Sequence, residues 1–401
     1  MDNNNKLNTL INDCINIENN IKTINIINEK IKKFSSIDSE IKFNSNNNER
    51  IILDSIKIFG NINKKEEDNQ NNINIVDFTP QNIKFVKKIS ECFGYGNSYV
   101  YDCACFFISK KNEYVLAYIN HNSKNKSIIF YDINNDKEIK KINNAHEKSI
   151  NSIKYYDYNL YDIILTSSYN DEIKIWNYDE SLNILRINNI FNESNGVYSS
   201  ALLFDNNSFY IFYVGEYDYI KIYNSSGNLY KNIGDNNERR RYIEIIEINE
   251  NKYIISGSNK GLTVFNYPSF SNYYNFRENN DSNYHNYAKI IKSKNNYNLI
   301  DAGNFNQIKI WDFFNKNLIK CIKSNSNEGL GGFIVINNIY LIIVSRDKEI
   351  KLFDINNGII IKILNKHTSF VYGIKGIKDK NNKQYIVSFG SDRNIYLWSL
   401  N

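Results

Sequence analysis

One short phrase returns seven times along the chain. It reads KSIIFYDI (126–133), EIKIWNY (172–178), YIKIYNS (219–225), GLTVFNY (261–267), QIKIWDF (307–313), EIKLFDI (349–355) and NIYLWSL (394–400). Apolar and polar residues alternate in each, as in a strand with two unlike faces. An aromatic sits near the end of each phrase: Tyr131, Trp176, Tyr223, Phe265, Trp311, Phe353 and Trp398, spaced 45, 47, 42, 46, 42 and 45 residues apart. Near-equal spacing of this length means a stack or ring of one repeated unit.

The interval after Trp311 shows the unit's grammar. A strand over 318–323 is followed by a strand with a glycine pair over 330–336. A third covers 340–345, and a tight turn with Arg346 and Asp347 leads into the next phrase. Four short strands per repeat describe one antiparallel sheet of a β-propeller. Seven sheets need roughly 315 residues, which leaves about 85 of the 401 at the N-terminus. The 14% aromatic content suits strands and cores. Abundant Asn, Ile, Lys and Tyr read as AT-rich codon bias, so the Asn runs are treated as background.

Over residues 82–401 the chain resembles the WD-repeat family. Trp311-Asp312, Phe353-Asp354 and Tyr131-Asp132 stand where the family has its name-giving dipeptide, while Asn177, Asn224, Asn266 and Ser399 replace the Asp elsewhere. His146 and His367 match the His that precedes a blade's first strand. The resemblance implies an all-β, seven-bladed propeller and, in two blades, a structural hydrogen-bond relay. By position its members are His367, Ser388, Asp392 and Trp398 in the last blade, and His146, Thr166, Asn170 and Trp176 in the second, with Asn for Asp. Phe305 breaks the pattern elsewhere. Such satisfied polar networks are structural, so these His are not read as catalytic.

The chain reaches Asn401 after the third strand of the seventh unit, and NIKFVKKIS (82–90) has the pattern of an outer strand. An open ring would leave an unpaired sheet edge. Residues 82–90 are therefore expected to complete the last blade. Leu7, Leu10, Cys14, Ile17, Ile21, Ile24 and Ile31 fall at coiled-coil spacing. They suit either an amphipathic helix or an Asn-rich tail whose isoleucines are codon bias. The expected organisation is a helical or partly disordered segment over 1–60, a linker over 61–81 and the propeller over 82–401.

Little here suggests chemistry. Cys103 and Cys105 share a strand face with Cys92 nearby, but no metal-ligand spacing accompanies them. No nucleophile elbow, phosphate loop or zinc-protease motif appears. A non-catalytic protein without cofactor or metal is expected. Five cysteines and no secretory leader pattern suit the cytoplasm or nucleus. The net charge of +5 argues against a nucleic-acid partner.

A scaffold that binds other proteins is the function the resemblance implies. Val100-Tyr101, Val197-Tyr198 and Val371-Tyr372 recur at first-strand starts, with Tyr99, Tyr242 and Phe370 aligned one step earlier. Arg346 and Tyr169 precede the turn residues on the same face. Aromatics and Arg dominate interfaces, although these tyrosines could equally plug the channel. Arg239, Arg240 and Arg241 could receive a phosphate, an acidic peptide or an anionic membrane. The flanking Glu238 and Tyr242 do not fit the paired-Arg motif of phosphoinositide-binding propellers. A ubiquitin-ligase substrate receptor would carry a basic residue two places after the WD-type Asp, where this chain has Asn134, Phe314 and Asn356.

Overall fold

The computed structural model describes residues 72–400, apart from 76–77, 92–101, 109–112, 122–125, 159–160, 170–171, 178–195, 206–207, 216–218, 236–237, 279–282, 294–295, 327–328, 380 and 382. The segment over 1–60, read as helical, lies outside these residues. Those described are all-β, with a single 3-10 turn at Pro80–Asn82.

Seven sheets of consecutive antiparallel strands follow one another, and two of them each take one more strand from the region before Cys103. Their innermost strands are Cys103–Ile108, Ile150–Tyr158, Val197–Asp205, Arg240–Ile248, His285–Lys292, Leu330–Ile336 and Val371–Lys378, defining blades 1 to 7. Each inner strand lies beside that of the next blade, and the seventh lies beside the first, so the sheets make a seven-bladed propeller. Blade 2 has three strands among the described residues. In blade 7 the fourth position is taken by Lys84–Glu91, which runs antiparallel to Asn394–Ser399. Residues 72–81, read from sequence as linker, are partly ordered onto the sheets: Asn72–Ile73 pairs in parallel with the inner strand of blade 6. An isolated two-residue pairing carries no local sequence signal, which is why composition suggested a linker.

The apolar phrases build the core between blades. Every sheet is covered on both faces, so the middle strands are buried in unbroken runs, as at Leu341–Val344. Ile334, Ile342, Leu352, Ile374, Ile386 and Trp398 fill the seam between blades 6 and 7. Cys103, Leu116, Val387, Phe389 and Leu397 fill the seam between blades 7 and 1. Each such aliphatic side chain contributes about 1.5–3 kcal/mol. Outer strands alternate instead, leaving Leu229, Ile319, Ile359 and Ile363 exposed at the rim.

One irregularity recurs. In blades 2 to 7 the inner strand carries a register shift at its start: between Ile150 and Ser152, Val197 and Ser199, Arg240 and Tyr242, His285 and Tyr287, Leu330 and Phe333, and Val371 and Gly373. An extra residue there leaves the ladder and is re-aimed at the rim of the channel.

Candidate functional site

The bulges define the face on which the inner strands begin. The residue before each bulge is fully buried: Ile150, Val197, Arg240, His285, Leu330 and Val371. The bulged residues at the channel mouth are Asn151, Tyr198, Arg241, Asn286, Gly331 and Tyr372. A second tier comes from the turns between second and third strands. There Tyr169, Asn259, Asn304, Arg346 and Ser391 donate their amides to the carbonyls of Ser149, Arg239, Tyr284, Gly329 and Phe370. These bonds tie each turn to the strand entry and hold the face rigid.

This register corrects the sequence alignment in blade 4. Tyr242 pairs with Gly257 as Gly373 pairs with Phe389, so Arg239, not Tyr242, takes the place of Phe370. Arginines at a normally apolar position had hidden the equivalence. Tyr242 turns inward: its hydroxyl donates to the carbonyl of Ala288 at 2.8 Å. Burial, reinforced by Glu244, holds that hydroxyl well above the usual tyrosine range.

The arginine run does not act as one cluster. Arg240 is fully buried and pairs with the buried Glu238 at 2.5 Å, while Arg239 faces solvent. Arg241 lies with its guanidinium 3.8 Å from the ring centre of Tyr284 and 5.6 Å from that of Tyr198. Arg346 donates to Asn304 Oδ1 at 3.0 Å, and Asn286 donates to the same oxygen at 2.9 Å. Among the described residues, no carboxylate pairs with Arg241 or Arg346. Phe370 is 40% exposed and Tyr169 46%. Tyr372 is half-buried, and its carbonyl accepts the hydroxyl of Tyr287 at 3.1 Å. Tyr99 and Tyr101 lie outside the described residues.

Just inside the mouth the walls are charged. Lys154, Glu244, Lys289 and Lys375 hold equivalent register positions on blades 2, 4, 5 and 7. Lys154 donates to the carbonyl of Ile243 at 2.7 Å and reaches Glu244 at 3.3 Å. Lys375 lies 3.5 Å from Asp102. Burial raises the Glu244 carboxyl, but Lys154, Lys289 and Lys375 outweigh it and hold the group below its usual range. The channel wall thus largely neutralises itself, and the unpaired charge sits on the outer face.

The relays hold the same face from below. In blade 7, His367 Nδ1 meets Asp392 at 2.9 Å and Nε2 meets Ser388 Oγ at 2.8 Å, while Trp398 Nε1 donates to Ser388 Oγ at 2.9 Å. In blade 2, His146 Nε2 meets Thr166 Oγ1 at 2.7 Å and Trp176 Nε1 donates to the same oxygen at 2.8 Å. The acid there is Glu172, 3.1 Å from His146 Nδ1. Asn170, expected in that role, lies outside the described residues. Glu172 is two residues along the turn and reaches back with a longer side chain.

The sequence reading also missed a buried pair in blade 5. His285 Nδ1 meets Asp301 at 2.8 Å with both side chains fully enclosed. Asp301 has the register position of Ser388 but turns to His285, leaving Trp311 Nε1 buried without a partner among the described residues. The ring of Phe305 packs against His285 at 4.9 Å. Lysines of the repeated phrase were overlooked too. Lys174, Lys221, Lys309 and Lys351 are buried, with Lys351 bonded to Asp347 at 2.5 Å and Lys174 to Glu172 at 2.9 Å. Their recurrence two places before the aromatic was the available signal.

The family model for the WD domain, G-beta repeat, matches residues 137–177 and 358–399. Each match takes in the outer strand of one blade and three strands of the next, so the sequence repeat is offset from the sheet and spans a seam. Among curated proteins none matches the chain. Propellers of this type are generally non-catalytic scaffolds for protein interaction. Two matched repeats within a ring of seven sheets are consistent with a WD-repeat β-propeller.

Proposed function

We propose that this protein is a non-catalytic scaffold that captures partner proteins on the channel-mouth face. The observation that carries the reading is Arg241, its guanidinium 3.8 Å over the ring centre of Tyr284 and 5.6 Å from that of Tyr198. A guanidinium held by aromatic rings has already lost much of its side-chain freedom, so little further entropy is lost when it meets a partner. Phe370 and Tyr169 supply exposed apolar area at the same level of blades 7 and 2, and Arg346 adds a second guanidinium steadied by Asn304. Affinity purification from native cells, followed by mass spectrometry, tests this. Changing Tyr198, Arg241 and Phe370 together to Ala removes a defined set of partners while the fold, read by circular dichroism, persists. An unchanged set overturns the proposal.

A membrane-binding role is less well supported, because only Arg239 of the arginine run is fully exposed. Flotation with phosphoinositide vesicles checks it directly, and no binding is expected. The segment over 1–60 is proposed as a second contact; a chain lacking it loses a subset of partners. Pairing of Lys84–Glu91 with Asn394–Ser399, with Phe85 edge-on to Trp398 at 5.7 Å, supports the reading that this strand seals the ring. Without it the last blade offers an open edge for aggregation, so deleting 82–90 yields aggregated protein.

A further inference from the structure

The face opposite the mouth carries a built site for an extended chain, filled by this chain's own residues. The inner strand of blade 6 ends in a tight turn whose central residues, Asn337 and Asn338, have φ of 53° and 55°. The amide of Ile339 closes that turn on the carbonyl of Ile336 at 3.1 Å. Asn tolerates this left-handed backbone better than most residues. The turn presents the Asn337 side chain along the strand direction, where it does what a further strand residue would do. Its Oδ1 accepts from the amide of Ile75 at 2.7 Å and its Nδ2 donates to the carbonyl of Ile75 at 2.8 Å. The Asn337 amide donates to the carbonyl of Ile73 at 2.8 Å.

These bonds continue the parallel pairing of Asn72 with Val335 and Ile73 with Ile336. Recognition of the backbone is thus independent of side chains. Selectivity comes from what lies beneath: Ile73 and Ile75, 6% and 8% exposed, sink into the core between blades 6 and 7, while Asn74 between them faces solvent. Phe78 packs on Tyr340 with ring centres 5.2 Å apart. Farther out, Lys362 Nζ grips the carbonyls of Gln81 and Ile83 at 2.8 and 2.9 Å.

We propose that the underside of blade 6 is a recognition groove for an extended segment bearing β-branched residues two apart and an aromatic three places on. Residues 72–75 and 78–83 of this chain occupy it as a resident ligand, and a partner segment of the same pattern binds by displacing them. Main-chain pairing holds the resident segment at only two ladder pairs and the Asn337 clamp, the rest being side-chain contacts, so its exchange is a local opening and leaves the ring intact. The groove is independent of the mouth face.

The probe is a fluorescein-labelled peptide with the sequence of residues 72–83, added to the full-length protein. Wild type, with its groove filled, binds it weakly. Ile73→Asp/Ile75→Asp, which ejects the resident segment, binds it at least about tenfold more tightly, and adding Asn337→Ala removes about tenfold of that gain, the order expected for a half-buried pair of hydrogen bonds. A folded Ile73→Asp/Ile75→Asp protein that binds no better than wild type overturns the proposal. If that variant does not fold, amide exchange of Ile75 in wild type and Asn337→Ala decides: faster exchange in the variant with unchanged exchange elsewhere in blade 6 supports the groove. Equal exchange, or loss of protection across the whole ring, overturns it.

Discussion

The hydroxyl of Tyr287 in blade 5 donates to the main-chain carbonyl of Tyr372 in blade 7, passing over the inner strand of blade 6 that separates them. It can do so because that strand has no side chains at Gly331 and Gly332. Burial and the nearby Asp102 carboxylate push the Tyr287 hydroxyl up to about 12, so it remains a donor throughout the neutral range. Blades 5, 6 and 7 are thereby tied together just inside the mouth.

The glycine pair gives two contrasting outcomes. A Cβ on Gly331 would come within 2.8 Å of the carbonyls of both Val371 and Tyr372, which are backbone and cannot give way. On Gly332 the nearest atom is Gly373 Cα at 3.4 Å, an ordinary contact. Gly331→Ala is expected to cost about 1–3 kcal/mol by overpacking, and Gly332→Ala clearly less. Urea unfolding of the two variants checks the difference.

Two indoles of the repeated phrase differ in the same way. Trp398 donates to Ser388 Oγ at 2.9 Å, whereas Trp311 has no such partner among the described residues. Both are buried, so replacing either with Phe removes similar volume. Trp398→Phe should cost about 0.5–1.5 kcal/mol more than Trp311→Phe, the net worth of one hydrogen bond. Equal losses in thermal unfolding would contradict the assignment of the relay.

Blade 2 sets an acid limit. Burial lowers the His146 imidazole below its usual value, with Glu172 opposing, so the folded state prefers the neutral ring. A neutral ring with its proton on Nδ1 donates to Glu172 and accepts from Thr166, which satisfies both nitrogens. Burial raises the Glu172 carboxyl, but hydrogen bonds from His146 and Lys174 outweigh it and bring it to about 2. In both cases the unfolded chain binds protons more readily than the folded one. The His146 contribution is complete above its unfolded value of 6.5 and fades as pH falls below it. That of Glu172 is complete above 4.5 and fades toward about 2. Glu172→Gln should flatten the lower part of the stability–pH curve, measured by urea midpoints from neutral to acid pH.

Arg240 and Glu238 form an ion pair at a level of the ring where most other inner strands place an aliphatic residue. Glu238→Ala leaves a buried guanidinium without its acid and should cost about 3–5 kcal/mol. Combining it with Arg240→Leu should restore most of that loss, because no buried charge then remains. A double variant as unstable as Glu238→Ala alone would show that Arg240 is held chiefly by other contacts. Denaturant midpoints of the three proteins give the answer.

The repeat was legible in the residues alone: seven aromatic phrases at near-constant spacing, four strands per interval and apolar patterning that buries the middle of each sheet. These are local properties, because strand period and turn chemistry are written in neighbouring residues. The blade 7 relay was readable for the same reason, since its members recur at fixed offsets within one repeat. Which side chains meet between repeats follows from the assembled ring. The acid opposite His146 is Glu172, since reach through space and not place in the motif selects it. Arg239, not Tyr242, takes the place of Phe370, and Arg241 that of Tyr372, because the polar Arg240 masks the buried site between them. Asn337 looked like one more Asn in an Asn-rich chain. Its role depends on Ile75, 262 residues away, and no pattern within a repeat could point to it.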